Sequence, residues 1–175
     1  QSIIVCGCSD GAVEVACLER NKLIGLYLQS RIGIVHILFT GSRVVLARLD
    51  GSIEFLELLL TSERPTRVTS ITLLKTVRAH QKPISFLLAS SLTAVSASYD
   101  HTLKLFDLRS CHLQSMLHAH RGPVTAVCID ATNNVCLLKS STTFGKGSKF
   151  LFFRRCFRHA KKVSFVAGVL PLVNY

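Results

Sequence analysis

The chain has 175 residues, 49% of them hydrophobic and 18% charged, which supplies a core and is the wrong composition for a disordered chain. Its formal net charge of +11 is uneven. Up to residue 130 there are 13 Lys and Arg against 10 acids, a net of +3; beyond it Lys139, Lys146, Lys149, Arg154, Arg155, Arg158, Lys161 and Lys162 face no acid, a net of +8. The basic character belongs to the C-terminal end, so it does not form the folded basic face with stacking aromatics that nucleic-acid binding needs.

Taken in chain order, short apolar and β-branched runs alternate with turn signals. Ile3–Cys8, Ala12–Leu18 and Leu23–Gln29 form a partial first set of strands. Gly33–Phe39, Arg43–Leu49 and Ser52–Leu58 follow, separated by Thr40-Gly41-Ser42 and by Asp50-Gly51, a strong hairpin signal. Ile71–Val77 is a fourth strand; Leu59–Ser70 before it holds the excess that stretches one Asp spacing to 50, and Ser62–Thr66 within it reads as a surface loop. The next set is Ile84–Ala89, Leu92–Ser98, Thr102–Leu108 and Leu113–His118.

These runs repeat. Ser9-Asp10-Gly11-Ala12-Val13-Glu14-Val15, Leu49-Asp50-Gly51-Ser52-Ile53-Glu54-Phe55 and Tyr99-Asp100-His101-Thr102-Leu103-Lys104-Leu105 are each an Asp turn entering an alternating strand, at spacings of 40 and 50. Ala79-His80-Gln81-Lys82-Pro83-Ile84 matches Ala119-His120-Arg121-Gly122-Pro123-Val124, again 40 apart. A period near 40 carried by strands and turns alone is that of propeller blades, and the pattern resembles WD repeats. The expected fold is all-β: a partial WD-repeat β-propeller with about two complete blades, partial flanking blades and an irregular basic tail.

In WD repeats, a His ahead of the first strand bonds the Asp of the tight turn, and a Ser or Thr of the second strand and a Trp of the third complete the network. His80, Ser98 and Asp100 fit those places, with Phe106-Asp107 where Trp-Asp is usual. Asp10, Asp50 and His120 are the corresponding positions of the other blades. A His–Asp dyad also invites a catalytic reading, but no nucleophile stands at a fitting place in the sequence, so the chain is expected not to be an enzyme. Arg43, Arg48, Lys82, Lys104 and Arg121 lie near turns, where an acidic partner segment could meet them; ordinary solvated charge is the alternative for each.

A narrower resemblance rests on Arg43–Phe55, Ala79–Ile84, Asp100–Phe106 and Ala126–Asp130, above all on Leu-Ala-Arg-Leu-Asp-Gly-Ser and Ala-His-Gln-Lys-Pro-Ile. These are not generic repeat consensus. They are similar to the C-terminal propeller of the sterol regulatory element-binding protein cleavage-activating protein family, over about residues 1–138. That resemblance implies an escort whose membrane part senses sterols. Its cytosolic propeller holds the C-terminal regulatory domain of the sterol regulatory element-binding protein, carrying it from endoplasmic reticulum to Golgi. No direct nucleic-acid contact is expected. The alternative is the scaffold of another complex, such as a ubiquitin-ligase adaptor or a trafficking subunit.

Residues 139–175 depart from the pattern. No acid occurs from 131 to 175, and Lys139–Gly147 replaces the expected turn Asp. A domain boundary at 138, with a non-native or disordered basic tail from a retained intron or frame change, is the expectation. The Gly145-Lys146 stretch fails the phosphate-loop spacing, because position 140 is Ser. Phe150–Lys162 mixes aromatic and basic residues, the composition of a weak membrane-surface or nucleic-acid segment. Starting at Gln1 without a signal peptide, the chain reads as a fragment or processed product, and an open arc is expected to be marginal or aggregation-prone. No apolar run reaches a span, Val163–Val173 being too short. The seven cysteines, an odd number within apolar runs, read as small buried hydrophobes in a reducing compartment. Cys6-x-Cys8, Cys111-His112 and His118-x-His120 lack a partner pair for zinc, so neither metal nor cofactor is expected.

Overall fold

Each Asp turn reverses the chain between two strands, and each linker carries it to the next blade. The computed structural model describes residues 3–61, 67–90 and 92–118, together with strands at 124–129, 136–140 and 151–153. The first blade is β1 (Ile3–Gly7), β2 (Val13–Cys17) and β3 (Lys22–Tyr27). The second is β4 (Ile34–Thr40), β5 (Arg43–Arg48), β6 (Ser52–Leu60) and β7 (Val68–Arg78). The third is β8 (Ile84–Ala89), β9 (Thr93–Ser98), β10 (Leu103–Asp107) and β11 (His112–Leu117). The fourth is β12 (Val124–Ile129), β13 (Cys136–Ser140) and β14 (Leu151–Phe153). Every pairing is antiparallel between chain neighbours.

The first strands β1, β4, β8 and β12 lie beside one another in order, which arranges the blades radially. Apolar layers fill the spaces between blades. Val13 and Val15 meet Val44, Leu46, Leu56 and Leu58. Val45, Ala47, Ile53 and Phe55 meet Ile84, Leu87, Ala94 and Phe106, with the two phenylalanine rings 5.7 Å apart and tilted. Val95, Ala97 and Leu103 form the core on the far side of the third blade. Both faces of β5 and β9 are therefore covered, and β9 is buried at every position, whereas the outer strand β7 alternates. On the other face of the first blade, Ile4, Leu23 and Leu26 are exposed.

β6 runs to Leu60 and β7 starts at Val68, with Leu59 opposite Ser70, so both ends of the Leu59–Ser70 excess are strand; the loop expected at Ser62–Thr66 lies outside the described residues. The boundary at 138 falls inside β13, and Leu151–Phe153 of the tail pairs with Cys136–Leu138, so sheet pairing extends past it.

The glycines at two turns are required by the fit between blades. Gly11 and Gly51 have φ of +90° and +86°, and a Cβ on Gly51 would sit 2.5 Å from the His80 carbonyl oxygen and 2.7 Å from that of Lys82. Gly41, at φ +61°, faces open space. Gly51→Ala is expected to cost roughly 1–3 kcal/mol from backbone strain alone, and more from the clash. Gly41→Ala should cost less, about 1–2 kcal/mol; denaturant unfolding of the two variants measures the difference.

Candidate functional site

The third blade builds a polar cluster on the linker histidine. His80 stands between β7 and β8, is 2% exposed, and reaches the β9–β10 turn. Its Nδ1 lies 2.9 Å from Asp100 Oδ2 and 3.0 Å from Thr102 Oγ1, and its Nε2 2.8 Å from Ser96 Oγ. A carboxylate only accepts, so Nδ1–H donates to Asp100 and Nε2 accepts from the Ser96 hydroxyl. Asp100 also accepts from the Thr102 hydroxyl at 2.6 Å, the Thr102 amide at 2.9 Å and the Gln81 amide at 3.1 Å.

Burial pushes the His80 imidazole below its ordinary value, outweighing the attraction of Asp100, and Lys104 adds to the effect. Burial alone would raise Asp100, but the donors of Thr102 and Gln81, and then His80, hold it at about 2. The neutral imidazole and the carboxylate thus share one hydrogen-bonded frame.

The serine of this cluster is Ser96, not Ser98. Ser98 turns to the linker, donating toward the Lys82 and Pro83 carbonyls at 3.0 and 2.9 Å and accepting from the Asp100 amide. Both serines face the same side of β9, but Ser98 is only two residues from Asp100 and is held in the turn itself. Phe106, placed where a Trp is usual, makes no polar contact and packs in the core against Phe55. Thr102 supplies the donor instead. Ser96, His80 and Asp100 have hydrogen-bond distances of a hydrolytic triad, yet the Ser96 side chain is fully buried, so the arrangement acts as a bolt between turn and linker.

The Asp10 and Asp50 turns have no histidine in this role among the described residues. Asp10 accepts from the Ala12 amide at 3.0 Å. Asp50 accepts from the Ser52 hydroxyl and amide at 2.7 and 3.0 Å; burial alone would raise it, but the Ser52 donors hold it below the ordinary carboxylate value. His120 and Arg121 lie outside the described residues.

The second blade carries a different bolt. Arg48 is not a surface cation: it is 1% exposed and grips Glu54 with two bonds of 2.7 Å. Its Nη1 donates to the Ile32 carbonyl at 2.6 Å and that of Gly11 at 3.2 Å, tying the first blade and the linker to the second. Burial and the nearby Glu54 charge push Tyr27 of the first blade up to about 12. Arg48 is therefore removed from the candidate partner residues: its neighbours occupy it completely. Arg43 pairs across the strands with Glu57 at 3.3 Å. Lys82 is exposed on the linker, and the Lys104 ammonium donates to the Ala79 carbonyl. Among the described residues no group of three or more His, Cys, Asp or Glu could hold a metal, and no helix is long and apolar enough to cross a membrane.

A groove of about 740 Å³ opens beside the third-blade cluster, lined by Arg78, Gln81, Lys104, Met116 and His118 over His80, Asp100 and Thr102. Of these, the sequence pointed to Lys104, His80 and Asp100; Thr102 and Gln81 were not singled out, and Arg78, Met116 and His118 were missed because only the folded sheet brings β7 and β11 to one place.

These radially arranged antiparallel sheets, joined by Asp turns seated on linkers, form a partial WD-repeat β-propeller. The sterol regulatory element-binding protein cleavage-activating protein of Xenopus laevis is 32% identical to the chain over 153 residues, covering 75% of this chain and 12% of the relative. The chain spans only that 12% of the relative it matches. No known family profile matches the chain. In fold it resembles the computationally designed Ika4 protein, with a TM-score of 0.71 at 20% identity over 88% of this chain and 86% of that one. It also resembles a chain in the crystal structure of the mitotic checkpoint complex, with a TM-score of 0.66 at 16% identity over 81% and 41%.

Arg48→Ala leaves Glu54 buried without its partner and should cost roughly 3–5 kcal/mol, whereas Arg48→Met with Glu54→Leu should recover most of that loss; thermal and urea unfolding check the pair. The pH dependence has a definite sign. Because the native His80 value lies below the ordinary 6.5, the unfolded chain takes the proton first. Stability from this group is fully present above pH 6.5 and is lost as pH falls from there through the native value. Asp100 adds a second loss between 3.8 and about 2. Unfolding midpoints from pH 8 to pH 4 should fall for the wild type and fall less for His80→Gln.

Proposed function

We propose that this chain is a protein-binding propeller segment of a sterol-regulated escort, holding the C-terminal regulatory domain of a sterol regulatory element-binding protein on the cytosolic side of the endoplasmic reticulum for transport to the Golgi. The observation that carries this reading is the 32% identity to the cleavage-activating protein across three quarters of the chain. The described sites favour binding over catalysis: the triad-like residues are sealed as a bolt, while the exposed linkers, turns and interblade groove offer contact surface. Sterol response and membrane anchoring belong, on this reading, to parts of the relative outside the matched 12%. A propeller scaffold of another complex is the competing assignment, since the fold alone serves many partners.

A pull-down of the purified chain against that regulatory domain decides between them. Salt-sensitive capture is the expected result. No capture by a chain shown to be folded by circular dichroism would return it to an unassigned propeller scaffold.

A further inference from the structure

Two exchanges change the charge between the second and third blades relative to the preceding pair. Moving one repeat along the sequence, Ser98 occupies the place of Arg48, and Lys104 the place of Glu54. The backbone contacts confirm the correspondence: Arg48 donates to the Ile32 carbonyl and Ser98 to that of Lys82, 50 residues on. Likewise the Leu49 amide donates to Gly33, and the Tyr99 amide to Pro83.

Between the first and second blades, Arg48 and Glu54 fill the space and neutralise each other. Between the second and third, the arginine has become a short serine held on the linker, and the acid has become a lysine. Lys104 lines the 740 Å³ groove that opens here. Lys104 rests there on a neutral carbonyl and forms no ion pair among the described residues. The acid in the wall, Asp100, is already saturated by His80, Gln81 and Thr102. Exposed Arg78 and His118 add basic groups, and half-exposed Met116 adds an apolar surface.

We propose that this groove receives a Glu or Asp side chain flanked by apolar residues, from an acidic segment of a partner protein. The guest supplies from outside the anion that Glu54 supplies between the preceding pair of blades. The proposal rests on the binding-module reading above and adds the place and the chemistry. One half-buried ammonium beside a thioether suits a single carboxylate; a phosphate site would show a bidentate arginine fork.

Fluorescence anisotropy of the full chain with a labelled Leu-Glu-Leu-Glu-Leu peptide, capped at both ends, tests this. Saturable binding is expected, weakened at least tenfold by Lys104→Gln and severalfold by Arg78→Gln, an exposed change that spares the core. The double variant Ser98→Arg, Lys104→Glu rebuilds the second-blade pair and should fold while losing the peptide. Equal binding of the Leu-Gln-Leu-Gln-Leu twin, preference for a phosphoserine version, or undiminished binding by Arg78→Gln and Lys104→Gln overturns the proposal. Peptide binding with no capture of the sterol regulatory element-binding protein domain sinks the partner and keeps the groove; capture that survives Lys104→Gln and Arg78→Gln does the reverse.

Discussion

The structure depends on one repeated fit: the Asp turn between two strands of a blade seats on a linker between blades. The Gly51 carbonyl accepts the His80 amide at 2.9 Å, and Gly51 itself lies too close to the His80 and Lys82 carbonyls to carry a side chain. Gly11 sits in the same way against the carbonyls of Ser30 and Ile32. The positive φ at each turn, including +72° at His101, lets Asp accept from the residue two places on while the turn stays tight. Once the turn is seated, the faces of adjacent blades meet, and the apolar layers of Val13, Leu46, Phe55 and Phe106 follow.

The polar bolts that secure this fit are interchangeable in role and different in chemistry. The third blade uses a neutral imidazole between a carboxylate and a hydroxyl. The second has Leu46 where the third has Ser96, and Ser30 where it has His80, and it secures the linker with an arginine instead. Each solution leaves no charge alone in the core, which is the condition for burying polar groups at all. The surroundings of the two bolts also differ: the arginine–glutamate pair is buried, whereas a groove opens beside the histidine cluster.

Much of the fold was legible because strand and turn signals are local. Asp50-Gly51 and the 40-residue period located nearly every strand of the first three blades to within one or two residues, and the His80–Asp100 pairing followed from the repeat. What was not legible depends on packing. Arg48 looked like a surface cation because its acid, Glu54, lies diagonally across the β5–β6 hairpin, a pairing that strand register fixes and sequence separation alone does not show. Ser96 was passed over for Ser98 because both share a strand face, and only the turn geometry shows which one reaches the imidazole. The β6–β7 hairpin runs past the expected Ser52–Leu58 and Ile71–Val77, because Leu59, Leu60 and Val68–Ser70 pair across it, an extension that the repeat period does not specify.

Native-state hydrogen exchange at the amides of Leu49, His80 and Tyr99 tests the central claim most directly, since each donates across a turn–linker contact to Gly33, Gly51 and Pro83. If the seated turns hold the blades together, these three amides should exchange only with the opening of the buried strands β5 and β9, at the same free energy. Exchange at the rate of exposed linker amides, with β5 and β9 still protected, would show that the apolar layers hold the blades and that the turns merely follow.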